Sequence, residues 1–228
     1  MLKMVNLFIS LYPPSESSRE IEIVECLVHN VSNKYIDKIT ILNEGFYHPI
    51  LLAEKINNIQ IKERPNFSDF YNFLNNTGIN IIANNDIKFD ETIDRLKYLL
   101  LKKGDMLSLT RHEKNGLLMR EKESDSQDVW IFKGVPACLK SANFQMGQLG
   151  CDGRLNFIFY KGGYRVLNPS KFIKVYHEHA SPKRDYVVSD RIMGPYLMLK
   201  PLNLFEFYWY RIVLYYLNRK RAFYFFDF

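Results

Sequence analysis

The 228-residue sequence predicts an α/β domain with a mainly parallel central sheet, helices on both faces and a helical, aromatic and basic C-terminal tail. Two observations predict it. Apolar runs of period two alternate along the first half with runs of helical period, the pattern of βαβ units. The chain is also 47% hydrophobic and 25% charged, enough apolar material for one large core.

Val5, Leu7, Ile9 and Leu11 form a strand that stops at Pro13-Pro14. A helix follows, with capping-box spacing at Ser17 and Glu20 and apolar residues at Ile21, Val24, Leu27, Val28 and Val31. "IDKITIL" is a second strand closed by Asn43-Glu44-Gly45, "YHPILLAEKI" a short helix and "IQIKER" a third strand. "NFSDFYNFLNNTG" reads as a helix ending on a left-handed Gly78 cap, and the strand "INIIA" comes next. Asp90 then caps a helix carrying Ile93, Leu96, Leu99 and Leu100, which ends at Gly104. Beyond it, "DMLSLT", "DVWIFKG", "YRVLNPS" and "FIKVYHEH" read as strands and "GRLNFIFYKGG" as a helix; a last helix runs from Leu202 to Lys220.

Lys and Arg total 31 against 25 Asp and Glu, a net charge of +6 that favours anionic partners. Three scattered cysteines exclude a disulfide framework and fit a reducing compartment. The N-terminus lacks a signal-peptide cleavage pattern, and "PLNLFEFYWYRIVLYYL" is broken by Glu206 and Arg211, short of the about 18 apolar residues of a spanning helix. The expected location is cytoplasmic, with membrane association allowed by the tail.

The strand "INIIA" runs into Asn84-Asn85-Asp86, where polar atoms are costly unless something is held there. In open sheets, ligands sit outside the carboxyl ends of the strands, and both Asn84 to Asp86 and Pro13 to Ser18 lie at such ends. One carboxylate suits Mg²⁺ or Mn²⁺, which take their other ligands from phosphate and water. An Asx-type turn explains the same residues more plainly. Asp152 stands between two glycines just before a helix, as a carboxylate in a cleft or as an ordinary N-cap. His177 and His179, two apart on an extended segment, share a face and could add imidazole to a metal site. Cys138 and Cys151 lack the spacing of structural zinc sites.

In order, the strand end near Pro13, Asn43-Glu44, "ANNDI", "SQDVWIFKG", "GCDGRLNF", "GGYRVLNPS" and "HEHAS" resemble the glycosyltransferases of the GT-A fold. The resemblance covers Val5 to Tyr186 and is closest to small domains of algal-virus and bacterial surface-polysaccharide enzymes. It implies a catalytic domain over residues 1–190, with a nucleotide-binding half at 1–104, an acceptor and sugar half at 105–190, and an extension at 191–228. It implies transfer of a sugar from a nucleotide-diphosphate donor, with UDP the expected carrier, to a glycan or lipid-linked acceptor. Asp86 stands at the metal-binding end of the family's Asp-x-Asp motif, with Asn84 at its first, usually acidic position. Asp152 matches the acceptor-activating base of inverting members, with Cys151 replacing an acidic neighbour. His177 or His179 falls at a late metal or diphosphate contact. Pro13, Asn84 and Asn85 are the implied nucleotide contacts; Glu44 and Arg64 could touch base or diphosphate, with a solvated surface role as the alternative for either. Asp128 and Trp130 are sugar contacts by chemistry, with core packing the plainer reading of Trp130.

Competing classes are a catalytically inactive glycan-binding relative, prompted by Asn84 and Cys151, a glycoside hydrolase, and a nucleic-acid-binding module. No nucleic acid is expected, because the cationic residues are interspersed with acids and no recognition motif occurs. The basic aromatic tail allows peripheral contact with an anionic membrane, and a packed helix or a dimer contact explains it more plainly.

Overall fold

The computed structural model describes residues 4–99, 102–119, 126–177 and 190–220. Its strands are β1 (Val5–Leu11), β2 (Lys38–Asn43), β3 (Ile56–Gln60), β4 (Ile79–Ala83), β5 (Ile87–Phe89), β6 (Asp105–Leu109), β7 (Val129–Lys133), β8 (Arg165–Leu167) and β9 (Val175–His177). Its helices are α1 (Ser17–Ser32), α2 (Cys151–Lys161) and α3 (Leu204–Lys220), with short 3-10 segments between.

Seven of these strands form one sheet in the order β3-β2-β1-β4-β7-β6-β8. β1 pairs parallel with β2 and β4, β2 with β3, and β6 with β8, while β7 runs antiparallel to both neighbours. The sheet is therefore mixed and largely parallel, as expected. The chain winds outward from β1 to β3 and then returns to place β4 on the other side of β1. That reversal opens a crevice at the carboxyl ends of β1 and β4, the usual ligand position in such sheets.

Side-chain alternation builds a core on each face of the sheet. Leu7, Ile9, Ile79, Ile81, Leu107, Leu109, Val129 and Ile131 face a layer shared with α1 through Ile23 and Leu27. Phe8, Ile82, Met106, Trp130 and Phe132 face the opposite layer, shared with α2 through Leu155 and Phe159. Burial on both faces is why these strands read as near-continuous apolar runs in the sequence.

β5 and β9 pair antiparallel in a separate ribbon, with Ile87 opposite His177. Asn30 of α1 holds this ribbon, donating to the Ile87 carbonyl at 2.8 Å and accepting from the Phe89 amide at 3.1 Å. The ribbon carries a late part of the chain back beside the end of β4.

Local expectations changed in several places. β3 begins at Ile56, earlier than "IQIKER" implied. The segments Phe67–Phe73 and Glu91–Lys97 are 3-10 rather than α, the second capped by the Asp90 side chain on the Thr92 amide at 2.9 Å. Gly78 is not a left-handed cap: its lack of a side chain is required because a Cβ would stand 2.8 Å from the Met4 carbonyl oxygen. The residue preceding α1 is Glu16, and no side chain caps that helix, so the Ser17 capping box is not formed.

The segment after residue 190 packs on the same core as the sheet. The Leu197 amide donates to the Gly153 carbonyl at 2.9 Å and the Leu202 amide to the Asn168 carbonyl at 2.7 Å. Phe207 of α3 is fully buried against Phe172. No helix among the described residues is long and apolar enough to cross a membrane.

Candidate active site

Asp86 follows the turn that ends β4 and is buried. Arg19, in the first turn of α1, donates through Nη2 to Asp86 Oδ2 at 2.7 Å and to Asn85 Oδ1 at 3.2 Å, and through Nη1 to Glu22 at 3.0 Å. His177 Nε2 lies 2.9 Å from the same Asp86 oxygen. Burial on its own would raise the Asp86 pKa, but the hydrogen bond and charge of His177, joined by Arg19, hold it well below the usual carboxylate range. Asp86 is thus an anion throughout the neutral range. Asn85 is spent on bracing, its amide donating to the Ser10 carbonyl at 3.0 Å and so tying the β4 turn to the end of β1.

A second buried carboxylate lies alongside. Asp128, just before β7, accepts from Asn84 Nδ2 at 2.9 Å and from Arg111 Nη1 at 3.0 Å, while its carbonyl accepts the Asn84 amide at 3.0 Å. Burial raises its pKa, Arg111 opposes that, and the charge of Asp86 raises it further, so the two carboxylates share one electrostatic site.

The run continues into α2. The Gln127 amide donates to Asp152 Oδ2 at 3.2 Å, and the Gly153 amide donates to Asp152 Oδ1 at 2.9 Å. The residue preceding α2 is Gly150, in a left-handed conformation, so Asp152 lies inside the first turn and is not the N-cap. A Cβ at Gly150 would meet the Tyr196 ring at 3.1 Å, a second reason for glycine there. Burial pushes the Asp152 pKa up to about 6, against the two amide hydrogen bonds. A carboxylate poised near neutrality is suited to taking a proton from an acceptor hydroxyl. Cys151 is buried, which pushes its thiol pKa up and keeps it neutral.

The other expected residues separate into two groups. Glu44 follows β2 and Arg64 follows β3; Arg64 lies over the ring of Tyr12, just beyond β1, at 5.3 Å, and its charge opposes the burial that raises the Glu44 pKa. Pro13 is exposed at the same end of β1. Trp130, by contrast, is fully buried on the face of β7 turned to α2, edge-on to Phe67 at 5.0 Å. It is a core residue, so the expected sugar contact is corrected to packing. His179 lies outside the described residues.

Sequence reasoning missed Arg19, Arg111, Gln127 and Tyr12. One signal for Arg19 was present: a cation in the first turn of a helix opposes the helix dipole and needs a compensating anion.

A divalent cation can be tested against these groups. Among the described residues no cluster of three His, Cys, Asp or Glu forms a ready-made metal site. Asp86 Oδ1 and Asp128 Oδ2 are nevertheless buried with no hydrogen-bond donor among the described residues. Two bare carboxylate oxygens, each costly to leave unmatched, fit a cation that draws its other ligands from a diphosphate and water.

No family model and no curated protein sequence matches the chain. Solved structures do match its fold. A mannosyltransferase, PcManGT from Pyrobaculum calidifontis, in complex with GDP-Man and Mn²⁺, superposes with a TM-score of 0.53 at 16% identity, over 82% of this chain and 59% of that one. Residues 1–349 of TarS from S. aureus give 0.52 at 12% identity, over 76% and 60%. GalNAc-T7 with UDP, GalNAc and Mn²⁺ gives 0.51 at 11% identity, over 82% and 46%. The chain therefore spans 46–60% of the length of these structures. Its fold is the GT-A fold of nucleotide-sugar glycosyltransferases, the one expected from the motif order.

Proposed function

We propose that this GT-A chain is a glycosyltransferase that moves a sugar from a nucleoside-diphosphate donor to a hydroxyl of a glycan or lipid-linked acceptor. The observation that carries this reading is the grouping of three carboxylates at the crevice between β1 and β4: Asn84, two residues before Asp86, bonds Asp128, and Gln127, next to Asp128 in the chain, bonds Asp152. It sets a charge-holding group and a proton-accepting group in one site.

Asp86 and Asp128 would hold Mn²⁺ or Mg²⁺ through their bare oxygens, with His177 beside Asp86. Bound there, the ion would stabilise negative charge developing on the departing diphosphate. Arg19 and Arg111 keep the two carboxylates oriented. Asp152 takes the acceptor proton as the new bond forms, which inverts the anomeric centre. Glu44, Arg64, Tyr12 and Pro13 surround the place of the base and ribose, for which UDP is our first choice.

A second reading has its own support. Arg19 and His177 already balance the charge of Asp86 through one oxygen, so a glycan-binding relative without turnover would not need a metal ion for that purpose.

Release of nucleoside diphosphate from UDP-, GDP- and dTDP-hexoses with Mn²⁺ separates the two. Turnover of one donor is expected, with the rate falling about tenfold per pH unit below about pH 6 as Asp152 protonates. Nucleotide binding without turnover of any donor, with or without added acceptors, would favour the inactive relative.

A further inference from the structure

The α3 helix is apolar on two opposite faces, and one of them packs on the core of the described residues. Phe207 is buried, Leu214 packs on the same core, and Arg211 reaches inward to Asp105 at 2.8 Å. On the other face stand Phe205, Trp209, Ile212 and Tyr216, spaced four, three and four residues apart and exposed by 79%, 59%, 55% and 62%. Tyr208 flanks them, also exposed. Four large side chains in one helical row form a contiguous apolar stripe, and such stripes mark contact surfaces when they persist on a folded domain.

Composition and charge choose the occupant. Trp and Tyr concentrate where an apolar phase meets water, with the ring in one and the polar atom in the other. With Arg211 paired to Asp105, the chain from residue 191 to 221 carries five other basic residues, Arg191, Lys200, Arg219, Lys220 and Arg221, against one acid, Glu206. The side chain of Glu206 is engaged at the start of α3, where it accepts from the Asn203 amide at 2.8 Å. A second copy of the same helix would bring like charges together, whereas an anionic bilayer matches both the stripe and the cations.

We infer that the exposed face of α3 docks on an anionic lipid bilayer, with Phe205, Trp209 and Ile212 entering the interface and the helix lying in its plane. The docking requires neither a donor nor turnover, so it stands apart from the transferase reading. It needs only the face opposite the one that the core already occupies.

The full chain supplies its own probe. Its two tryptophans are Trp130, fully buried in the core, and Trp209, so a change in tryptophan emission on lipid addition reports Trp209. Vesicles of phosphatidylcholine with about a third phosphatidylserine should sediment the protein and shift its emission to the blue, whereas pure phosphatidylcholine should bind it at least about tenfold more weakly. Ile212→Glu and Phe205→Glu, both at exposed positions, should each weaken binding to anionic vesicles about tenfold or more with the melting temperature unchanged. Raising salt from 0.1 to 0.5 M should release the protein. Absence of binding to either vesicle would overturn the inference. So would lipid-free self-association that these two variants abolish, because the stripe would then belong to a second copy.

Discussion

Asp152→Asn is expected to lower sugar transfer by roughly 10²- to 10⁴-fold, the usual worth of a positioned general base, with nucleotide binding kept. The two N–H groups use separate carboxylate oxygens, Gln127 on Oδ2 and Gly153 on Oδ1, so the amide keeps an oxygen for one of them and turns its NH₂ toward the other. Removing a buried charge offsets that lost hydrogen bond at neutral pH. Burial raises the Asp152 pKa from 3.8 to about 6, so between those values the folded chain keeps a proton that the unfolded chain has lost. Stability from this group is fully present below about pH 4 and lost as pH rises through about 6. At pH 7.5 the ionised carboxylate therefore costs on the order of 1–3 kcal/mol, which the neutral amide removes. Loss of activity with the melting temperature kept or raised is the signature of a strained catalytic base. An active Asp152→Asn enzyme would remove Asp152 from the mechanism, and lost activity with lower stability would make it a structural residue.

Asp105→Ala is expected to cost about 3–5 kcal/mol, because it takes the counter-ion from two arginines in a largely buried cluster. Asp105 is 1% exposed at the start of β6, where Oδ1 accepts from Arg165 Nε at 2.6 Å and Oδ2 from Arg211 Nη2 at 2.8 Å. Arg211 also donates to the Leu99 carbonyl at 2.7 Å, so one guanidinium ties α3 to two other segments. For a chain of this size the loss corresponds to a melting decrease on the order of 10 °C. Arg211→Leu should cost less, since it removes a charge rather than stranding one and leaves Asp105 its Arg165 partner. Chemical denaturation of both variants measures the difference. A cost under about 1 kcal/mol for Asp105→Ala would mean that water or rearrangement satisfies the arginines.

Much of the fold was legible because its signals are local. The alternation in β1 and the helical spacing in α1 each lie within a few residues, and the apolar runs of β4 and β7 announce burial on both faces. β5 was missed because Ile87–Phe89 is three residues long and has no period to read. The 3-10 segments carried helix-forming patterns, but only tertiary contacts set their hydrogen-bonding type. Trp130 shows a different limit: the sequence places it two residues from Asp128, and pleating then turns it to the opposite layer from Val129, into a packed core.

The site was legible where the chain itself joins residues, at the Asn84-Asn85-Asp86 turn and at the start of α2. Its electrostatics were not. Arg19 meets Asp86 across 67 residues, and His177 meets it across 91. Only the return of the chain from β3 to β4 and the β5–β9 ribbon bring these groups together. Asp128, expected to grip a sugar, pairs with Arg111 and Asn84 and keeps one oxygen without a donor among the described residues. That oxygen and its counterpart on Asp86 led to the proposed cation site.

The most direct test is the melting temperature with UDP, GDP and dTDP, each with and without Mn²⁺, on the wild type and on Asp86→Asn. A nucleotide at about a hundred times its dissociation constant adds roughly 2.7 kcal/mol, a shift large enough to read. One nucleoside diphosphate should stabilise the wild type only when Mn²⁺ is present, and the folded Asp86→Asn variant should lose that response. Equal stabilisation with and without Mn²⁺, or a response that survives Asp86→Asn, would contradict a diphosphate site built on Asp86.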